Sequence, residues 1–391
     1  MSSSSRNCRN RPWARSFGAN CAAPDPLRQV VTRLSNTRQY AARRGRKHNG
    51  ERERRVLREE TRMNRKNWVS ALAIGVTFAA SAAAATTLKV AAITPEGSVW
   101  SQQAVDFMNK VRETGADIEF EFFPNGQLGN QPDTLKGMLS GRVDIWIGAM
   151  PFLAAVTPEV TLFTMPYAFD SIDEVKCVVP RMKAPTAELA GNKYKLLAVA
   201  PVGVQDIAAA EPIQSPADLA GQKVRVAPLP STMAFFGSVG ATAQPLPGAE
   251  TASALQTGLV EAVDLAPAFL VVTGSHQIAR YHTPTNHNYN VGAYAISMRT
   301  WAKLDDAQKA ALIKVGDEMD FAQQVDDLVA FDRQMLAKGA ADGMETVTLS
   351  AEDNDAWRQA GLAVWDKVLA DMPGDISAFR ATFDAAKSDC K

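Results

Sequence analysis

The chain has 391 residues, 42 Lys and Arg against 42 Asp and Glu, and 46% hydrophobic residues, enough for two or three domains and an ample core. The zero balance hides an asymmetry: residues 1–66 hold 18 basic and 5 acidic residues, the remainder 24 and 37. The two parts are not one folded object, and the acidic remainder excludes a nucleic-acid surface as its main function.

Residues 1–62 carry little apolar periodicity and runs such as Arg43-Arg44-Gly45-Arg46-Lys47. A basic nucleic-acid arm and plain disorder are two readings of such a segment. The favoured one is translation upstream of the true start, because Met63 opens a complete secretory signal: Asn64-Arg65-Lys66-Asn67, the apolar run Trp68 to Phe78, then small residues to Ala85. Ala83-Ala84-Ala85 is an A-x-A cleavage site, so 63–85 reads as signal peptide and Thr86 as the mature N-terminus. The apolar run is well short of the roughly 20 residues that span a bilayer. An exported, periplasmic chain permits Cys177 and Cys390 to pair, and their spacing does not decide it.

Thr87 to Ile93 reads as a first strand. A turn at Thr94-Pro95-Glu96-Gly97 leads into a helix over about 98–113, with Val99, Trp100, Ala104, Phe107, Met108 and Val111 on its apolar face. Gly115 ends it, and Ile118 to Phe122 alternates as a second strand. This β-α-β order predicts an α/β sheet with helices on its faces, and ligands bind such sheets beyond the carboxyl ends of the strands, here at loops 93–97, 148–153 and 200–206. A further helix runs to Leu139 and a strand over 141–148. Late in the chain, Thr285 to Asn290 leads into a strand over 293–298. A long helical region follows over 305–339, then a short strand near 346–348 and an amphipathic helix over 351–369. Trp357, Leu362, Trp365 and Leu369 form the core stripe of that last helix.

The stretch 213–267 carries the chemistry. Ser215 caps a one-turn helix that Pro216 opens and Gly221 stops, and Lys223 to Val226 follows as a strand. Arg225 falls between valines that are buried in a strand of this kind. A buried guanidinium without a carboxylate partner is very costly. Either Asp264 or Glu250 supplies the partner and ties the domain together, or a ligand does; the ligand is the expectation.

Five motifs in order carry a resemblance: PNGQLGN at 124–130 with GRVDI at 141–145; PEVTLFTMPYAFDS at 158–171; SPADLAGQKVRV at 215–226; GATAQPLP at 240–247 with ALQTGLVEAVD at 254–264; and TNHNY at 285–289 followed by Trp301-x-x-Leu304. Over 86–391 the chain resembles the solute receptors of TRAP transporters, the dicarboxylate-receptor family. The resemblance implies a two-domain periplasmic-binding-protein-like α/β fold with the ligand in the interlobe cleft. Residues 86–202 and 291–330 would form one lobe, 203–290 and 331–391 the other, and the helix at 305–339 would span both. It implies a small-molecule carboxylate ligand held bidentately by Arg225, delivery to small and large membrane permease subunits, and no cofactor. Where sialic-acid receptors of the family carry a second arginine, this chain has Gln205. Ala149, Met150 and Phe152 stand at their polar post-strand positions, and Leu265 replaces their ligand-facing asparagine. The pocket is therefore expected to take one carboxylate on an apolar or weakly polar body. Asp264 would accept a ligand hydroxyl, pair with Arg225 or hold a bridging cation; Thr94 and Gln131 are secondary contacts.

His276, His282 and His287 lack close-spaced ligand pairs, and no nucleophile elbow, P-loop or dinucleotide motif is present. An exported ligand sensor, or a hydrolase on a similar scaffold, is the alternative to a transport receptor.

Overall fold

The computed structural model describes residues 85–391; the expectations for the upstream segment and the signal peptide at 1–84 lie outside the described residues. Nine strands form one mixed sheet: β1 Thr86–Ala92, β2 Ile118–Phe123, β3 Ile145–Ala149, β4 Tyr194–Ala209, β5 Lys223–Val226, β6 Thr242–Pro245, β7 Ala262–Leu265, β8 Tyr281–Ser297 and β9 Glu345–Thr346. The order is β2-β1-β3-β8-β4-β7-β5-β6, with β9 on β8. β1, β2 and β3 are mutually parallel, as are β5, β6 and β7. Between these two halves run the long antiparallel partners β4 and β8. Their ladder shifts register at three places, one of them between Pro201 and Gly203, where Gly203 has φ +122°. Only glycine enters that region at low cost.

Local signals set the flanking helices. Ser98 Oγ accepts the Ser101 N–H and caps helix Val99–Glu113, whose Ala104, Phe107, Met108 and Val111 are buried against β1 and β3. Asn130 caps Gln131–Ser140, and Gly141 closes it at φ +79°. The region expected as one helix over 305–339 is two, Asp306–Asp317 and Phe321–Ala341. Asp320 accepts the Gln323 N–H as a fresh N-cap, which restarts the helix after the break at 318–320. The second helix reaches both halves: its Gln324 carbonyl accepts from Gln103, and its Asp332 carboxylate from the Ala268 N–H.

The expected helix over 351–369 also divides, into Ala351–Leu362 and Trp365–Ala370. Trp357 is fully buried there, but Leu362 is 38% exposed and leaves the core stripe. β8 starts at Tyr281, well before the expected 293, because its polar residues find internal partners: His282 with Asp206, Thr283 with the Ile213 carbonyl, His287 with Asp264. Cys177 and Cys390 form a disulfide that ties the C-terminal helix Ser377–Ser388 to helix Ile172–Ala190.

Candidate functional site

β1, β3, β5 and β7 all end on one cleft of about 570 Å³, the position at which open α/β sheets bind ligands. One wall comes from the first half of the sheet: Ile93, Thr94, Gln131, Ala149 and Phe152. The other comes from Arg225, Leu229, Gly248, Leu265 and Phe269, and the crossing strands supply Val202, Gln205 and Tyr294. Its surface is mostly apolar. Among the lining residues Arg225 is the one cation and Glu250, exposed on the rim, the one carboxylate.

Arg225 sits in β5 between Val224 and Val226, and is 5% exposed. Nε and Nη2 donate to the Leu246 carbonyl at 3.0 and 2.8 Å, and Nη1 donates to the backbone carbonyl of Asp264 at 2.9 Å. A guanidinium has five N–H groups in a planar fork; these three bonds leave one N–H on Nη1 and one on Nη2 without a partner among the described residues, available to a ligand oxygen. Burial pushes the Arg225 pKa down, opposed by the nearby Asp264 carboxylate. Among the described residues no carboxylate forms an ion pair with Arg225. Asp264 gives it a backbone oxygen only, and its carboxylate turns to His287 Nε2 at 3.2 Å, while His287 Nδ1 meets Thr285 Oγ1 at 2.8 Å.

Consecutive strand residues face opposite sides of a sheet. In β7, Leu265 faces the cleft and Asp264 the interior behind it, so of these two expected contacts only Leu265 lines the wall. The same holds after β3: Ala149 and Phe152 line the cleft, whereas Met150 is fully buried in the core and leaves the set of wall residues. No group of three or more potential metal ligands exists among the described residues, and with its carboxylate engaged by His287, Asp264 does not face the cleft as a cation ligand would.

The remaining expected residues come together. Gln205 lines the cleft, its amide held by long bonds to the Gly203 and Val204 carbonyls. Gln131 Oε1 accepts the Ala149 N–H at 2.6 Å, which leaves Nε2 as the end able to donate. Thr94 Oγ1 is buried without a hydrogen-bond partner among the described residues. Sequence reasoning missed three others. Trp100, read only as helix core, donates Nε1 to the Val202 carbonyl at 3.1 Å and packs on Phe269 and Phe331 with ring centroids 6.2 and 5.9 Å away. Gly248 borders both Arg225 and Phe269 on the cleft wall, and nothing in the spacing of 248 and 269 marks them.

The profile of the bacterial extracellular solute-binding protein family 7 matches residues 90–371. A solute-binding protein of Roseobacter denitrificans is 29% identical over 63% of this chain and 75% of its own length. The 2,3-diketo-L-gulonate-binding periplasmic protein of Escherichia coli is 26% identical over 78% of this chain and 93% of its own. Among solved structures, a TRAP periplasmic solute-binding protein of Pseudomonas putida F1 with bound D-glucuronate superposes with a TM-score of 0.70 at 24% identity, covering 77% of this chain and 97% of that one.

Proposed function

The chain belongs to the bacterial extracellular solute-binding protein family 7, and from that premise we propose that it captures an organic acid with one carboxylate and an apolar or weakly polar body, held at Arg225. Members of this family are periplasmic receptors that bind small molecules and work with the membrane permease subunits of TRAP transporters; they are not enzymes. Among the described residues no helix is long and apolar enough to cross a membrane.

The observation that carries the ligand class is the state of Arg225. It is a buried guanidinium bound by the protein only through backbone carbonyls, with one N–H on each terminal nitrogen left over, in a cleft with no second cation. A dicarboxylate would bury its second charge unpaired, which is costly. The relatives named for diketogulonate and glucuronate support a single carboxylate as the shared feature, since each of those acids has one. Gln131, Thr94 and Gln205 serve as polar contacts, and Phe152 and Leu265 as apolar walls. The two halves of the sheet act as lobes (86–202 with 291–330, and 203–290 with 331–391) that close about the register shift at Pro201–Gly203.

Thermal-shift screening of organic acids tests this. Monocarboxylates with apolar bodies should raise the melting temperature of the wild type and leave Arg225→Ala unmoved. Preference for dicarboxylates, or equal shifts in both proteins, refutes it.

A further inference from the structure

Gly248 borders both Arg225 and Phe269 in the cleft wall. Gly248 lies in the single turn Gly248–Glu250, and its φ is outside the left-handed region, so the backbone does not demand glycine there. A β-carbon on it would stand 3.6 and 3.7 Å from Cε1 and Cζ of Phe269 and 3.8 Å from Nη2 of Arg225. These are ordinary contact distances, so the absent side chain leaves a gap bounded by an aromatic ring on one side and the guanidinium fork on the other. In a bidentate pair with N–H···O bonds of about 2.8 Å, the carboxylate carbon stands a little under about 4 Å from the fork nitrogens. The gap thus lies about as far from Nη2 as the carbon of a seated carboxylate, and the Phe269 ring borders the space into which the rest of such a ligand extends.

The ring is held in place. Trp100 packs on it at 6.2 Å, and is itself fixed by its bond to Val202 and by Phe331. Phe152 and Tyr294 line the same cleft. Aromatic walls favour an aromatic occupant, through edge and offset contacts beyond simple area burial. A polyhydroxylated body would have to turn its hydroxyls away from these rings toward the few polar groups of the cleft, among them Gln131 and Gln205.

We infer that Phe269 is a specificity-determining residue of this cleft and Gly248 the gap that admits the ligand beside it, and that together they select an aromatic monocarboxylate of the arylacetate kind over a sugar acid. The inference rests on Arg225 being the carboxylate seat.

Calorimetric titration with phenylacetate and D-glucuronate tests it. The wild type should bind phenylacetate more tightly by about tenfold or more, the scale of discrimination a pocket gains from apolar fit. Gly248→Val, which fills the gap, should weaken phenylacetate by about tenfold or more with the unliganded melting temperature unchanged. Phe269→Ala should narrow the ratio between the two acids by a similar factor, about tenfold. Equal or tighter binding of D-glucuronate by the wild type, no binding of phenylacetate, or a ratio indifferent to both variants overturns the inference. Arg225→Ala separates the two readings. If it abolishes both acids while the ratio ignores positions 248 and 269, the seat stands and the aromatic selection falls. If both acids survive it, the seat falls, and this inference with it.

Discussion

Replacing Arg225 by alanine probes the seat itself. The side chain is 5% exposed, so a ligand carboxylate that docks where its fork stood meets neither a cation nor bulk water. Removing one partner of a buried ion pair costs about 3–5 kcal/mol, and at about 1.4 kcal/mol per power of ten the affinity falls by roughly two to three and a half powers of ten. Two opposing effects act on the fold. The Leu246 and Asp264 carbonyls lose their donor, about 1–3 kcal/mol for each buried acceptor left unpaired. Against that, the variant no longer desolvates a guanidinium, the burden that pushes the Arg225 pKa down. The unliganded melting temperature should therefore move little while affinity collapses. Arg225→Lys keeps the charge and loses the planar fork, and should fall between the two. The assay is titration calorimetry with phenylacetate, with thermal melts of the unliganded proteins as the control for folding. A folded Arg225→Ala that binds within about threefold of wild type, under about 0.7 kcal/mol, refutes the reasoning.

Two further outcomes concern the scaffold. The Cys177–Cys390 bond closes a separation of 213 residues; reduction, or the Cys177→Ala/Cys390→Ala double variant, should lower stability by roughly 2–5 kcal/mol in a denaturant titration with ligand affinity unchanged, and an unshifted midpoint refutes the tie. Burial raises the Asp332 pKa to about 7, relieved in part by the Ala268 N–H. A carboxyl whose folded pKa lies above its unfolded value binds more protons when folded, so its penalty is absent below the unfolded pKa and grows as pH rises to the folded one. Asp332→Asn should therefore be more stable than wild type at pH 8, by up to about 4 kcal/mol at about 1.4 per pKa unit, with the gap closing toward pH 4. A gap that does not change with pH refutes it.

The part of the site legible in the sequence was the part set by local pattern. A charged residue flanked by Val224 and Val226 in a short strand announces a buried charge, and Arg225 is one. Strand-end loops announced the cleft, and Thr94, Gln131, Phe152, Gln205 and Leu265 all reach it. The misplacements have a local cause too. Asp264 and Leu265 are adjacent in one strand and cannot both face the cleft, a point that period 2 alone would have settled. Met150 and Phe152 fall on a 3-10 turn whose phase no short motif reveals. The break at 318–320 did have a signal, Asp320 with Gln323 three residues on, masked by continuous helical composition on either side. What stayed hidden depends on distant partners. His282 and Asp206 are separated by 76 residues, and Trp100 and Val202 by 102. No spacing rule links such pairs, so the histidines read as inert and the aromatic wall was invisible.

Strand β8 occupies the middle of the sheet but comes late in the chain: Ile145 is answered by Ile296, and Leu196 by Ala295. Until residue 297 has been synthesised, β3 and β4 each present a bare edge, and bare edges recruit wrong neighbours. Any product cut short before Tyr281 would divide into the fragments β2-β1-β3 and β4-β7-β5-β6. Such a truncation yields two adhesive half-sheets and no smaller receptor, so the last third of the gene decides whether the first two thirds stay out of aggregates.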